Sequence, residues 1–296
     1  MKSIMYHYVR DFNKQFPYSN VLHTEKFIKQ IKKFLKIGLI ANYEELLIPS
    51  KKIIPTFDDG FKDHIYTAEL LKKYNSIGLY FIPTLPYKNN DILDVHKTQL
   101  ITGKVKGKIA LEELKKYLIK KKLNNFINKI EKKNFNYPYK EQKDDDSKKE
   151  FKKIMNYYGN INIKHKILNH LMNIFDINIK AKDFYLSKKE INYISSLGMI
   201  IGSHSESHTV LSRLNYKKQY NEIKNSKSLL EKILNKSVYT FCYPYGGKKS
   251  YNLNTLKILK KLKFKFAFSV EYRDIEKKDI AKKPLELPRY DCNQFN

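Results

Sequence analysis

Tryptophan is absent, cysteine occurs only twice, and acid is scarce: 30 Asp and Glu stand against 58 Lys and Arg in 296 residues. Cys242 and Cys292 cannot build a disulfide framework, so the fold must rest on a packed core, and a reducing compartment suits free thiols. No apolar run approaches the roughly 20 residues of a membrane-spanning helix. Met1 to Asp11 also lacks the apolar stretch of a secretory signal, so the expected location is the cytoplasm. The formal net charge of +28 would draw polyanions or a peripheral contact with an anionic membrane. The lysines are spread along many amphipathic segments with no nucleic-acid module beside them, which argues for solvated faces over specific nucleic-acid recognition. With 42% hydrophobic residues the chain is globular.

What is present is an alternation of short apolar runs and amphipathic segments. Ser3 to Val9 reads as a first strand, with His7 near its end. Thr24 to Ile37 follows as a helix with Phe27, Ile31 and Phe34 on one face and Gly38 as its C-terminal cap. A buried strand leads to Asp58, a helix runs from Asp63 to Tyr74, and Gly78 to Ile82 is a further strand. Ser187-Lys188-Lys189-Glu190 is a capping box, opening a helix that Gly198 closes. Met199 to Ile201 reads as a strand, Tyr216 to Leu234 as a long helix and Ser237 to Tyr243 as a strand. A helix through Leu253, Leu256, Leu259 and Leu262, a strand at Phe264 to Val270, and Leu285 to Arg289 complete the series. About seven strands alternating with helices argue for parallel strands joined by right-handed crossovers, an α/β fold of distorted (β/α) barrel type.

Between about residues 87 and 183 this alternation stops. Leu111, Leu114, Leu118, Phe126 and Ile130 mark a basic helical segment, Lys143 to Glu150 reads as a charged, exposed stretch, and Ile163 to Ile174 is helical again. The expectation is one domain over 1–296 with a helical insertion at about 87–183 that could wall a substrate cleft. Within it, His96 of Asp94-Val95-His96-Lys97 is a candidate substrate contact.

Chemistry concentrates where strands hand over to loops. In Ile53-Ile54-Pro55-Thr56-Phe57-Asp58-Asp59-Gly60, two carboxylates sit between an apolar strand and a glycine turn. Alternation along a strand should make them diverge, one towards a metal and one towards the water it activates. Ile200-Ile201-Gly202-Ser203-His204-Ser205-Glu206-Ser207-His208 ends another apolar run with two histidines four apart, which on a helical turn would share a face and bind one ion. Two histidines and one carboxylate leave a coordination position open, the mark of a catalytic site. The loop Pro244-Tyr245-Gly246-Gly247 lacks the wider phosphate-loop pattern and reads as a turn.

Thr56-Phe57-Asp58-Asp59-Gly60 and His204-Ser205-Glu206-Ser207-His208 resemble the first two motifs of the polysaccharide deacetylases, the NodB-homology carbohydrate esterases. Phe241-Cys242-Tyr243-Pro244-Tyr245-Gly246 resembles the third, and the resemblance covers most of residues 1–86 and 185–291. It implies a NodB-type barrel and a hydrolase whose divalent ion, zinc first and cobalt, nickel or manganese as alternatives, is held by Asp59, His204 and His208. It makes Asp58 the general base and the backbone N–H of Tyr245 an oxyanion donor, with Pro244 beside it as a substrate contact. Family frequency favours removal of an N-acetyl group from a sugar; an O-acetyl carbohydrate esterase is the alternative. In a cytoplasmic protein the substrate would be a glycan precursor, nucleotide- or lipid-linked.

Two departures from the family pattern stand out. Many relatives pair the catalytic Asp with an Arg of the third motif, where this chain has Cys242, and Arg289 is the candidate replacement. The usual C-terminal Leu-x-His is missing as well. Met5-Tyr6-His7-Tyr8-Val9 resembles the N-terminal Tyr-His motif of the biofilm-polysaccharide deacetylases, which makes His7 the candidate general acid. The competing class is a non-catalytic glycan- or polyanion-binding protein. A non-haem iron oxygenase also uses two histidines and a carboxylate, but the ligand order and the neighbouring Asp58 disfavour it.

Overall fold

The strand β2, Ile53–Asp58, is buried along its whole length, as expected of a strand covered on both faces of a parallel sheet. In the computed structural model, which describes residues 1–48, 50–123, 144–158 and 161–295, β2 lies between β1 (Lys2–Tyr6) and β3 (Leu79–Ile82). Pro55 of β2 cannot donate a ladder hydrogen bond; one residue on, the Thr56 hydroxyl donates to the Ile4 carbonyl instead, at 3.0 Å. The other strands are β4 (Ile200–Ser203), β5 (Thr240–Cys242), β6 (Phe266–Phe268) and β7 (Tyr290–Asp291). All seven pair in parallel, in the order β6-β5-β4-β3-β2-β1-β7. Leu287, just before β7, also bridges Phe268 of β6. The segment from Leu287 to Asp291 thereby reaches from one sheet edge to the other and closes a distorted (β/α) barrel.

Strand packing is tight at Gly202 of β4, where a Cβ would come within 2.5 Å of the Phe81 ring and of the Thr240 hydroxyl. Flanking helices form where the pattern places them: Thr24–Leu35 buries Phe27, Ile31 and Phe34, and Lys188–Ser196 opens with the Ser187–Glu190 capping box. The strands at the C-terminal end are shorter than expected, and the last one is Tyr290–Asp291 rather than Leu285 to Arg289. Leu253, expected on a buried face, is the first residue of helix Leu253–Lys261 and is exposed, because the face turned inward carries Thr255, Ile258 and Leu259.

The chain divides into two compact units. The first, Met1–Asp11 with Val21–Asp91 and Ala181–Asn296, carries the barrel. The second comprises Phe12–Asn20 and Ile92–Lys180 and is helical: Asp94–Lys104, Gly107–Lys120, Asp146–Lys153 and Ile161–Ile174. Phe126 and Ile130 lie outside the described residues. Asp144 and Lys148 depart from the expected exposed stretch at Lys143 to Glu150, because both are buried. Asp144 pairs with Lys148 at 3.0 Å and with Lys152, and mutual neutralisation lets a charged sequence fold inward. Among the described residues, no helix is long and apolar enough to cross a membrane.

Candidate active site

At the C-terminal end of β2 the backbone turns sharply, with Asp59 at φ +80° and Gly60 at φ +64°. The two carboxylates therefore diverge because Asp59 leaves the strand, and not through strand alternation. Both are buried. At the end of β4, His204 and His208 also come together, but on a loop rather than a helical turn, with Ser205 at φ +61° and His208 at φ +55°. That loop is held by Glu222 of helix Tyr216–Leu234, which accepts from the backbone N–H groups of Glu206 and Ser207 and from the Ser207 hydroxyl. Burial pushes the Glu222 carboxyl up, and these donors partly oppose it. Glu222 carries no motif signal; only the fold brings it under the histidine loop.

Asp59 Oδ1 lies 3.3 Å from His208 Nε2 and 3.7 Å from His204 Nε2. Ligands about 2.0–2.2 Å from one tetrahedral ion stand roughly 3–4 Å apart, so this set fits a divalent cation. The tautomer of His204 fits too. Its Nδ1 is 2.8 Å from the Cys242 carbonyl, which can only accept, so the proton is on Nδ1 and Nε2 turns a bare lone pair towards Asp59. Burial lowers the His204 pKa against the pull of both carboxylates, and the ring stays neutral, as a ligand must be. Asp58, His204 and Cys242 also cluster within metal-binding reach. That set is the poorer one: burial drives the Cys242 thiol far up, and Asp58 is engaged elsewhere.

Asp58 is engaged by Arg289. Its two oxygens accept from Arg289 Nη1 and Nη2 at 2.8 and 2.9 Å, a bidentate pair with both partners buried. Arg289 also donates to Thr56 Oγ1 and lies 2.9 Å from Cys242 Sγ. The small side chain of Cys242 thus leaves room for a guanidinium delivered from the other edge of the sheet. Burial alone would raise the Asp58 carboxyl, but the charge of Arg289 and the hydrogen bonds it donates act against burial, and the pKa is held at about 2.

His7 lies just past β1, with Nε2 3.9 Å from Asp58 Oδ2 and 4.0 Å from Asp59 Oδ2, and it is partly open to solvent. Tyr245, half-buried at φ +65°, sets its ring 5.0 Å from that of His208, and Pro244 is buried beside it. The fold therefore gathers His7, Asp58, Asp59, His204, His208, Tyr245 and Arg289 at one end of the sheet in the first unit. His96 is buried in helix Asp94–Lys104 of the second unit.

Residues 149–267 match the polysaccharide deacetylase family. The match starts inside the segment expected to fall outside the resemblance, and it ends before Arg289; Asp58 and Asp59 precede it. No curated protein matches the chain. Among solved structures, the Streptococcus pyogenes deacetylase PplD in complex with acetate is similar at 17% identity and a TM-score of 0.61, covering 98% of this chain and 91% of that one. IcaB from Ammonifex degensii is similar at 13% identity and a TM-score of 0.55, covering 99% of this chain and 93% of that one. BC0361, a polysaccharide deacetylase from Bacillus cereus, shows 17% identity and a TM-score of 0.57; 98% of this chain aligns, but only 64% of that one. In sequence over residues 149–267, and in fold, the chain is similar to the polysaccharide deacetylases.

Proposed function

We propose that the protein is a metal-dependent hydrolase that removes an N-acetyl group from a sugar of a glycan or glycan precursor. The observation that carries this reading is the convergence of Asp59 Oδ1 and His204 Nε2, with His208 Nε2 completing the set, beside a second carboxylate held apart by Arg289. Asp59, His204 and His208 would hold the ion, zinc in the first instance and cobalt, nickel or manganese as alternatives. When bound, such a cation polarises the acetyl carbonyl and lowers the pKa of a water.

Asp58 then has a defined task. A carboxyl held at about 2 is ionised throughout the physiological range and ready to take the proton of an attacking water. It is a weak base, so the reading needs a water that is already acidified. The backbone N–H of Tyr245 is assigned to the oxyanion, with Pro244 shaping that loop. His7 supplies the proton to the departing amine, since an unprotonated amine leaves poorly. Water adds to the carbonyl, the C–N bond breaks, and acetate and a free amino sugar result. His96, buried in helix Asp94–Lys104, takes no part in these steps.

A cytoplasmic, nucleotide- or lipid-linked precursor is the substrate class we favour, because a net charge of +28 suits an anionic carrier. Acetate release should be assayed across nucleotide-linked and oligomeric N-acetyl sugars, with metal content measured on the same preparation. Release from N-acetyl sugars with one bound divalent ion is expected. Release from O-acetyl sugars alone would turn the reading to an esterase, and metal-free glycan binding without release would make it a binding protein.

A further inference from the structure

The helix His64–Lys73 begins five residues after the Asp58-Asp59 pair, and its first turn makes contacts that its own stability does not require. Asp63 stands at the N-cap but makes no capping hydrogen bond with its side chain. Its carboxylate accepts instead from the Val9 backbone N–H at 3.1 Å and from Arg10 Nε at 2.8 Å, and Arg10 Nη2 closes a second bond. The next residue, His64, is fully buried, with its ring 5.5–5.8 Å from those of Phe57, Phe61 and Tyr80. Its Nε2 lies 3.0 Å from the carbonyl oxygen of His7. A carbonyl only accepts, so His64 carries its proton on Nε2. Nδ1 is then a buried acceptor with no partner among the described residues. A leucine would fill this aromatic pocket without that cost, so the donated hydrogen bond is what the imidazole contributes. Between these anchors Tyr8 stacks on Phe61 at 4.1 Å, and the Arg10 guanidinium covers the Tyr8 ring at 4.6 Å.

We propose that Asp63 and His64 are positioning residues that clamp the His7–Arg10 segment and so hold the His7 imidazole over the Asp58 and Asp59 carboxylates. Beyond β1, which ends at Tyr6, the segment keeps an isolated bridge from Val9 to Leu22, with the Tyr8 carbonyl and the Arg10 N–H as its hydrogen-bonding groups. The bond at the His7 carbonyl itself comes from His64. His64 ties that carbonyl, Asp63 ties the N–H two residues on, and both anchors belong to the helix that follows the catalytic carboxylates in sequence. The acid and the base are thereby referenced to one rigid element, which is what proton delivery to a leaving group requires. The inference rests on the proposed role of His7 as acid.

The test compares hydrolysis of an N-acetylglucosamine oligomer, whose amine needs a proton, with that of p-nitrophenyl acetate, whose leaving group does not. His64→Leu should lower the amide-to-ester ratio about 10- to 100-fold, the range for a misplaced catalytic group, with bound metal unchanged. His64→Gln, whose amide N–H can reach the same carbonyl, should restore most of the ratio. In a His7→Ala background, His64→Leu should cause no further fall. If His64→Leu fails to fold, Asp63→Asn carries the test and should lower the ratio in the same sense. An unchanged ratio in the folded His64 and Asp63 variants, while His7→Ala lowers it, overturns the clamp and leaves the acid intact. A His7→Ala enzyme with the wild-type ratio removes the acid role itself, and the clamp's purpose with it.

Discussion

Asp58 and Asp144 are both buried carboxylates held by basic side chains, one in each unit of the chain. Around Asp144 the neighbours are donors: Lys148, Lys152 and the Asn20 amide at 3.1 Å. The charge is neutralised, and the cluster ties helix Asp146–Lys153 to the Phe12–Asn20 segment of its own unit. Around Asp58 the cation Arg289 stands beside a set of acceptors, the Asp59 carboxylate and His204 Nε2, which could hold a further cation. Buried charge alone does not mark a reactive site. What distinguishes the first cluster is that lone pairs, rather than protons, converge beside it.

The largest effects should come from the acceptors. Asp59→Ala or His204→Ala should abolish acetate release and bound metal together, because two remaining ligands hold a catalytic ion poorly. Full metal occupancy by elemental analysis in either variant would overturn the ligand assignment. Asp58→Asn should keep the metal while turnover falls about 10²–10⁴-fold, the range for loss of a general base. If it is Asp58→Asn that empties the site and Asp59→Asn that does not, the two carboxylates have exchanged roles.

Arg289→Met should cost roughly tenfold or more in turnover, with Arg289→Lys recovering part of it. Its signature is in the pH profile. The folded Asp58 carboxyl titrates at about 2 and an unfolded one at about 3.9, so the pair stabilises the fold above roughly pH 4 and that contribution is lost as pH falls through about 2. Without the guanidinium, burial acts unopposed by its charge and the carboxyl pKa rises. The acidic limbs of both the pH–rate and the pH–stability curves should then move to higher pH, and unmoved limbs would reduce Arg289 to a packing role. Asp144→Ala should show the smallest effect on chemistry. It strands two buried lysines and should cost about 3 kcal/mol of stability by denaturant titration, with acetate release per folded molecule unchanged. A loss of turnover comparable to that of Asp58→Asn would erase the contrast between the clusters.

Much of this was legible in the chain. Periodicity and capping residues placed the barrel helices, and apolar runs ending in Asp-Asp-Gly or Gly-Ser-His marked the strand ends where the candidate site lies, because burial and turn formation are local properties of residue type. The same local patterns named Asp58, Asp59, His204 and His208. The sequence misled where tertiary contacts overrode local preference: the histidine spacing suited a helix, yet Glu222 holds the segment as a loop, and Asp144 looked solvated until two lysines came to meet it. Most of all, the pairing of Asp58 with Arg289 across 231 positions, and the anchoring of His7 by His64 across 57, were beyond any local reading. Barrel closure decides the first contact, since it brings the first and last strands side by side and lets a guanidinium from one edge fill the space that Cys242 leaves open, while the second follows from β1 lying beside β2.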